Sequence, residues 1–469
     1  MTQYDLVVIG SGPGGYVAAI HGAQSGLKTA IVERESTERL GGTCLLRGCI
    51  PTKALLHTAD VAEEIRHSDA IGLVTDGVEV SMKKVHAYKS KVVKKNAGGV
   101  KYLMKKNDID VHFGHGRLAG AGKVSVEAAD GSTTTIETKN VILATGSRCR
   151  HLPFIAMDHD RVMDSDELLE LQEIPDHLVV IGAGAVGMEF ASVFLRYGSE
   201  VTVVEYLDRV LPAEDEEVSE AAAKSFSKQG MTLMTSSKVT DVSADDQGVK
   251  IVVEAVDGES SEEIQASHLL VAVGRAPVTE DIGAEDTGVE IDDQGVVAVD
   301  EFMRTGEPNV YAIGDITDSP WLAHVASKEG ILAVDHICGK DPRPINYGLV
   351  PMCTYCSPEV ASVGLTEAQA KEKGYDVQTG VFPFSASGKA AILNQTEGFV
   401  KIVSESKYDE ILGLHIIGPK ATELITEGTL AMELECTLAE LLQTIHPHPT
   451  LAESVAEAAH AATGHAIHI

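Results

Sequence analysis

No apolar run in the 469-residue chain approaches the roughly 20 residues of a bilayer-spanning helix, which excludes a membrane span. Basic residues are few, 38 against 70 acidic ones, for a net charge of −32. That balance opposes nucleic-acid binding, which depends on neutralising phosphates, and fits solubility or a salty habitat. Cysteine is also sparse. Seven in so long a chain make no structural disulfide framework, so a redox pair in a reducing compartment fits better than a staple. No charged segment precedes Leu6-Val7-Val8-Ile9, and that run is short for a signal peptide, so a cytoplasmic protein is expected. What remains is a globular composition, 44% hydrophobic, long enough for about two to four domains.

The strongest pattern is an internal repeat. Leu6-Val7-Val8-Ile9 predicts a buried strand, Gly10-Ser11-Gly12-Pro13-Gly14-Gly15 a turn, and Tyr16 onward a helix; a second strand, Thr29-Ala30-Ile31-Val32, ends on Glu33. From Leu178 the same order returns, with Gly182, Gly184 and Gly187 in the turn and Glu205 closing the second strand. The glycines let the backbone approach a pyrophosphate at a helix N-terminus, and the acid accepts a ribose hydroxyl. Two whole copies predict two dinucleotides. Glu205 favours NAD over NADP because it would repel a 2′-phosphate, and no arginine follows it directly.

Three further apolar strands close on glycine: one before Thr145-Gly146-Ser147, one before Gly274-Arg275, one before Gly314-Asp315. Ligands in open α/β sheets sit at the carboxyl ends of strands. Asp315 is therefore a candidate for a cofactor hydroxyl, or alternatively a cap of the next helix. Gly41-Gly42-Thr43-Cys44 to Cys49-Ile50-Pro51-Thr52-Lys53 places two cysteines five positions apart. On an ideal helix such residues lie about 140° apart around the axis, so a bridge needs a distorted helix start and would be readily reduced. The pair reads as a cycling dithiol or as two buried thiols. Cys353-Thr354-Tyr355-Cys356 lacks a second metal-ligand pair, and its β-favouring neighbours predict an extended, structural segment.

His446-Pro447-His448-Pro449-Thr450 fixes a non-helical turn. Thr450 is expected to cap a helix from Leu451, and His448 with Glu453 fits a base held by an orienting carboxylate, unless the histidines are plain surface residues. Nine lysines between Lys83 and Lys106 run against the acidic whole. They predict the solvated face of a helix, with a docking patch for an acidic partner as the alternative.

In these motifs, over nearly its whole length and in the same order, the chain resembles the flavin-dependent pyridine nucleotide–disulfide oxidoreductases, most closely members that reoxidise dihydrolipoamide. Leu322-Ala323-His324 belongs to the resemblance too. It implies an α/β fold with two Rossmann-like dinucleotide-binding domains plus an α+β C-terminal dimerisation domain. The expected boundaries are 1–150 for FAD, 151–275 for NAD, 276–345 completing the FAD domain, and 346–469 for the interface of a homodimer. It further implies cofactor-binding roles for Gly10, Gly12, Gly15, Glu33, Thr43, Lys53, Gly116, Thr145, Gly146, Asp315 and Ala323 toward FAD. Toward NAD it implies Gly182, Gly184, Gly187, Glu189, Glu205, Val239 and Gly274, with Glu189 also pairing with Lys53. No metal is implied.

Catalysis would fall to Cys44 and Cys49 with His448 and Glu453, the last two reaching the dithiol of the other subunit. Dihydrolipoamide thiolate would attack Cys44, and Cys49 would pass the electrons by way of FAD to NAD+. The implied partner is a lipoylated acyltransferase or lipoyl carrier protein of a 2-oxoacid dehydrogenase or glycine-cleavage system, with no lipoyl domain expected ahead of the first strand. Two departures stand out: Leu46-Arg47 puts a charge between the cysteines, and Cys353 and Cys356 replace residues that are commonly not thiols. Rival readings are a reductase of another disulfide, disfavoured for glutathione by Glu205 and for mercuric ion by the ending His465-Ala466-Ile467-His468-Ile469; a transhydrogenase, disfavoured by Cys49; and a non-catalytic subunit, disfavoured by the intact cysteine and histidine set.

Overall fold

The structure is a computed structural model that describes every residue except Met1, Thr2, Ser36 and Glu38, arranged in two compact units. The first comprises the chain through Ala54, Lys83–Arg150 and Arg275–Tyr347. Its central strand Gln3–Ile9 pairs in parallel with Thr29–Glu33 on one side and Thr133–Leu143 on the other. Asp110–Phe113 extends the sheet beyond Thr29–Glu33, and Val310–Ala312 joins the carboxyl end of Thr133–Leu143. The start of that long strand pairs antiparallel with Lys123–Glu127, which pairs with His115–Leu118. A strand buried on both faces needs a continuous apolar run rather than alternation. Leu6 and Val8 pack with Ala18 and Ala19 of the helix Pro13–Gln24, while Tyr4, Val7 and Ile9 pack with Val124, Ile136 and Val141.

The second unit comprises Leu55–Met82, His151–Gly274 and Gly348–Ile469. Here the repeat forms a parallel sheet in the order Thr232–Met234, Glu200–Val204, His177–Ile181, His268–Val271, Val162–Met163. An antiparallel three-stranded sheet, Ser237–Asp245, Gly248–Ala255 and Ser261–Ala266, follows the repeat. After Gly348 the chain forms a five-stranded antiparallel sheet covered by the helices Ala421–Glu433 and Glu453–Ala462. The two expected dinucleotide folds and the α+β C-terminal part are all present.

A buried charge cluster ties the repeat to that C-terminal sheet. Lys401, with its side chain 2% exposed, donates to Asp215 at 2.9 Å and Glu367 at 2.7 Å, and lies 2.8 Å from Glu217. Burial favours the neutral amine, but three carboxylates hold the ammonium form. Losing one partner would strand a buried charge, so the cluster fixes the packing more than it adds net stability.

Beside it, burial pushes the Glu214 carboxyl up to about 7, reinforced by Asp215 and opposed by Ser362, and its Oε2 has no hydrogen-bond partner among the described residues. A carboxyl raised in the fold is destabilising when ionised, so its cost grows from the ordinary 4.5 to about pH 7 and stays level above. Glu214→Gln is therefore expected to raise the melting temperature at pH 8 by a few degrees and to leave it near wild type at pH 4.5, read by thermal unfolding at both values.

Candidate active site

The two glycine turns are built alike. At Gly15 an added Cβ would lie 1.9 Å from the Gly10 carbonyl, and at Gly187 1.9 Å from the Gly182 carbonyl, so each turn folds flat against its own helix. At Gly12 and Gly184 an added Cβ would meet nothing within 4 Å. These two residues cap the helices Pro13–Gln24 and Ala185–Tyr197 in extended conformation, with no side chain satisfying the first amides. Uncapped amides facing open space at a helix N-terminus suit a phosphate.

Each turn also grips the acid that ends the next strand. The Ala183 amide donates to Glu205 Oε2 at 2.6 Å and the Leu207 amide to Oε1 at 2.8 Å. The Ser11 amide donates to Glu33 Oε2 at 2.9 Å and the Glu35 amide to Oε1 at 2.8 Å; the Ser11 hydroxyl adds a third bond at 2.5 Å. Both carboxylates are thus held at the strand ends and retain acceptor capacity for a ligand hydroxyl.

In the first unit, the ends of the neighbouring strands Thr133–Leu143 and Val310–Ala312 lead into one hydrogen-bonded region. Asp315 does not cap the next helix, which begins at Ala323 after Leu322; it accepts from the Ser147 hydroxyl at 2.5 Å. Arg275 donates to Ser147 Oγ at 2.6 Å and to its carbonyl at 2.8 Å. Gly146 is left-handed at φ 72°, its carbonyl accepts the Val278 amide, and Thr145 Oγ1 donates to the Val278 carbonyl at 2.6 Å. Buried Glu329 takes the Gly314 amide at 2.6 Å on one oxygen and the Tyr347 hydroxyl at 2.9 Å on the other. Gly116 packs under Ile9 and Val32, where an added Cβ would lie 2.8 Å from Val32.

The cysteine pair lies where the helix is broken. Gly42–Arg47 forms one short helix, Gly48 leaves helical geometry at φ −137° and ψ −114°, and Cys49–Arg66 begins another. The regular helix that would hold the sulfurs apart does not form. The two thiols are unbonded and in hydrogen-bond contact, and that bond with burial pushes the Cys44 thiol well above the usual thiol range, Lys53 pulling the other way. An added Cβ on Gly42 would lie 2.6 Å from the Gly12 Cα, and Gly42 has φ 59°. The Gly41 amide donates to Ser11 Oγ at 3.1 Å. The Gly41-Gly42 segment that leads into Thr43 and Cys44 therefore packs directly against the first glycine turn. Arg47 is paired with Glu35 at 2.6 Å.

In the second unit, Glu189 is buried in the helix Ala185–Tyr197 and accepts the Tyr355 amide at 3.0 Å; Lys53 belongs to the first unit. Val239 lies in the core of its unit, and Gly274 is left-handed at φ 104°. Cys353 lies on the strand Met352–Thr354, and Cys356 is buried in the turn beyond it, its thiol facing the Pro358 carbonyl at 3.1 Å. Burial raises the Cys356 thiol well above the usual range, as suits an inert residue.

The two histidines part company. His446 is buried against Glu427 at 2.6 Å, whereas His448 is 80% exposed with its Nδ1 2.9 Å from Glu453 Oε1. Burial of Glu453 works against its ionisation, but the Thr450 amide at 2.7 Å and His448 hold its carboxyl below the usual range. Thr450 does not cap the helix as expected. The helix starts at Glu453 after Ala452, and the Thr450 hydroxyl donates to the Pro447 carbonyl. Glu453 reaches back and accepts the amide of Thr450 itself.

Residues 4–330 match the pyridine nucleotide–disulphide oxidoreductase family, and residues 350–459 match its dimerisation domain. The chain belongs to the pyridine nucleotide–disulphide oxidoreductase family. It is 46% identical to a dihydrolipoyl dehydrogenase of Bacillus subtilis, across 100% of this chain and 99% of the relative. It is 43% identical to dihydrolipoyl dehydrogenase 3 of Pseudomonas putida, across all of both chains. The crystal structure of LpdA from Mycobacterium tuberculosis superposes with a TM-score of 0.90 at 29% identity, covering 98% of this chain and 99% of that one.

Pyridine nucleotide–disulphide oxidoreductases of this kind use FAD and NAD(H), and the paired turns, open helix ends and gripped carboxylates fit two such dinucleotides. The dimerisation-domain match supports a homodimer. No helix among the described residues is long and apolar enough to cross a membrane. Sequence reasoning overlooked the roles of Ser11, Ser147 and Arg275, which lie inside or beside glycine turns already singled out. Glu329 carried no such signal, because a lone acid on a helix is indistinguishable in sequence from a solvated one. The Gly42–Gly12 approach leaves no room for a methyl group. Gly42→Ala is expected to cost about 1–3 kcal/mol and to weaken retention of the yellow flavin, read by thermal unfolding and by absorbance after gel filtration.

Proposed function

We propose that this flavoenzyme reoxidises protein-bound dihydrolipoamide with NAD+, in the cytoplasm, as the dehydrogenase component of a lipoate-dependent complex. The observation that carries the reading is the pair Cys44 and Cys49 in mutual contact at a helix break, seated on the first dinucleotide turn. The relatives named dihydrolipoyl dehydrogenase match end to end. We assign FAD to 1–150 with 276–345, NAD to 151–275, and the dimer interface to 346–469.

In this reading FAD lies along Gly10, Gly12, Gly15, Glu33, Thr43, Lys53, Gly116, Thr145, Gly146, Asp315 and Ala323. NAD lies along Gly182, Gly184, Gly187, Glu189, Glu205, Val239 and Gly274. Bound FAD and NAD+ supply the two-electron relay from dithiol to nicotinamide.

The chain's own residues do the rest. His448, held at Nδ1 by Glu453, takes the proton of a dihydrolipoamide thiol at Nε2. The thiolate attacks Cys44 of the oxidised pair; the Cys44–Cys49 bond breaks, and Cys49 leaves as thiolate. The second substrate thiol then attacks the mixed disulfide, releasing cyclic lipoamide and the Cys44 thiol. The raised Cys44 thiol supports this order, because Cys44 keeps its proton in the reduced pair.

Cys49→Ser or His448→Gln is expected to lower lipoamide turnover by about 10²–10⁴-fold with flavin still bound, and near-normal turnover in either would refute the assigned role. Glu205→Ala is expected to raise KM for NAD+ by about tenfold while narrowing the preference over NADP+, since one charged hydrogen bond of about 1.5 kcal/mol is lost. Unchanged kinetics with both nucleotides would remove Glu205 from the site.

A further inference from the structure

The helix Met82–Lys106 carries nine lysines and no acidic residue, within a chain of net charge −32. Eight of the nine are exposed and Lys89 alone is buried. At 100° per residue the eight fall within an arc of about 140°, and Lys89 falls on the opposite side with Val93, Ala97 and Val100. The stripe runs the helix's full length, about 36 Å at 1.5 Å per residue.

This is not a surface arranged for its own stability. None of the eight makes an ion pair among the described residues. Lys91 faces Lys95, and Lys101 faces Lys105, at the four-residue spacing where like charges each cost about 0.2–0.5 kcal/mol. Tyr102 lies in the stripe and is 63% exposed, and aromatic residues are enriched at protein contacts. On its buried side the same helix backs the redox segment: Val93 and Ala97 pack on Leu46, and Val100 and Met104 share a core with Leu45 and Cys44.

The geometry points to this lysine stripe as the docking surface for an acidic protein domain that delivers the dithiol. The inference rests on the proposed function, since it names the carrier of that substrate. The chain's overall negative charge repels an acidic partner everywhere else, so the stripe captures it on the element behind the cysteines. Complementary charge of this kind acts on the rate of encounter and fades with salt. A phosphate-rich polymer would also meet the lysines, but the net charge of the whole chain opposes it.

The test compares two reductants on the holoenzyme: free dihydrolipoamide, and a reduced, isolated lipoyl domain with an excess of acidic residues. In the variant Lys91→Gln/Lys94→Gln/Lys95→Gln, kcat/KM for free dihydrolipoamide is expected to be unchanged. For the lipoyl domain it should fall about tenfold at low salt, and the difference should close at about 0.5 M salt. A lipoyl domain with those acids changed to amides should not distinguish the variant from wild type.

Equal effects on both reductants, or no effect on the acidic domain, would overturn the inference. Fluorescence anisotropy of the labelled lipoyl domain reads docking without turnover. Wild-type enzyme that binds the domain yet fails to oxidise free dihydrolipoamide would sink the proposed function and leave the docking surface standing.

Discussion

Everything at the site depends on one backbone contact: the first turn of the dithiol helix pressed onto the first phosphate turn. Gly42 approaches Gly12 so closely that a side chain on Gly42 would run into the Gly12 backbone. The contact is reinforced by the Ser11 hydroxyl, which accepts from the Gly41 amide and donates to Glu33. One serine thus links the cysteine segment, the glycine turn and the strand-end acid. Such a joint sets the position of the sulfurs by backbone, which is stiffer than any side-chain arrangement, and a redox pair must be placed to within a fraction of an ångström.

The sequence made the fold legible because its signals were local and duplicated. A buried parallel strand needs an unbroken apolar run, a tight turn needs glycine, and both occurred twice at matching spacing, so the two dinucleotide folds followed. The C-terminal sheet was visible only as a change in texture, since antiparallel strands covered by helices lack a fingerprint. The site was legible in part. Cysteines at an i, i+5 spacing posed a contradiction for a regular helix, and the fold resolves it with a break at Gly48, a conformation glycine adopts at little cost. The segment after His448 shows the opposite outcome. Threonine before an apolar run resembles a cap, yet the Thr450 hydroxyl turns back to the Pro447 carbonyl and the helix starts two residues further on, at Glu453. Long-range partners such as Glu329 with Gly314, or Lys401 with three carboxylates, were invisible because nothing local distinguishes a buried charge from a solvated one.

The two histidines show how little separates structure from chemistry. They stand two positions apart in one rigid turn, and each has a glutamate partner. The His446 side chain is 8% exposed, against a Glu427 carboxylate that is 27% exposed. His448 shows its ring to solvent while its carboxylate holds one nitrogen, which is the arrangement a proton acceptor requires. Exposure, rather than pairing, distinguishes them.

The duplicated turns hold their acids with different numbers of donors. Where the first has Ser11, the second has Ala183, so Glu33 is held by three donors from the protein and Glu205 by two. The extra hydroxyl makes the first acid the more completely engaged before any nucleotide arrives, and it leaves the second with more unshared electron pairs to offer a visitor. An acid left with that spare acceptor capacity is the better placed of the two to take a hydroxyl from an arriving ligand.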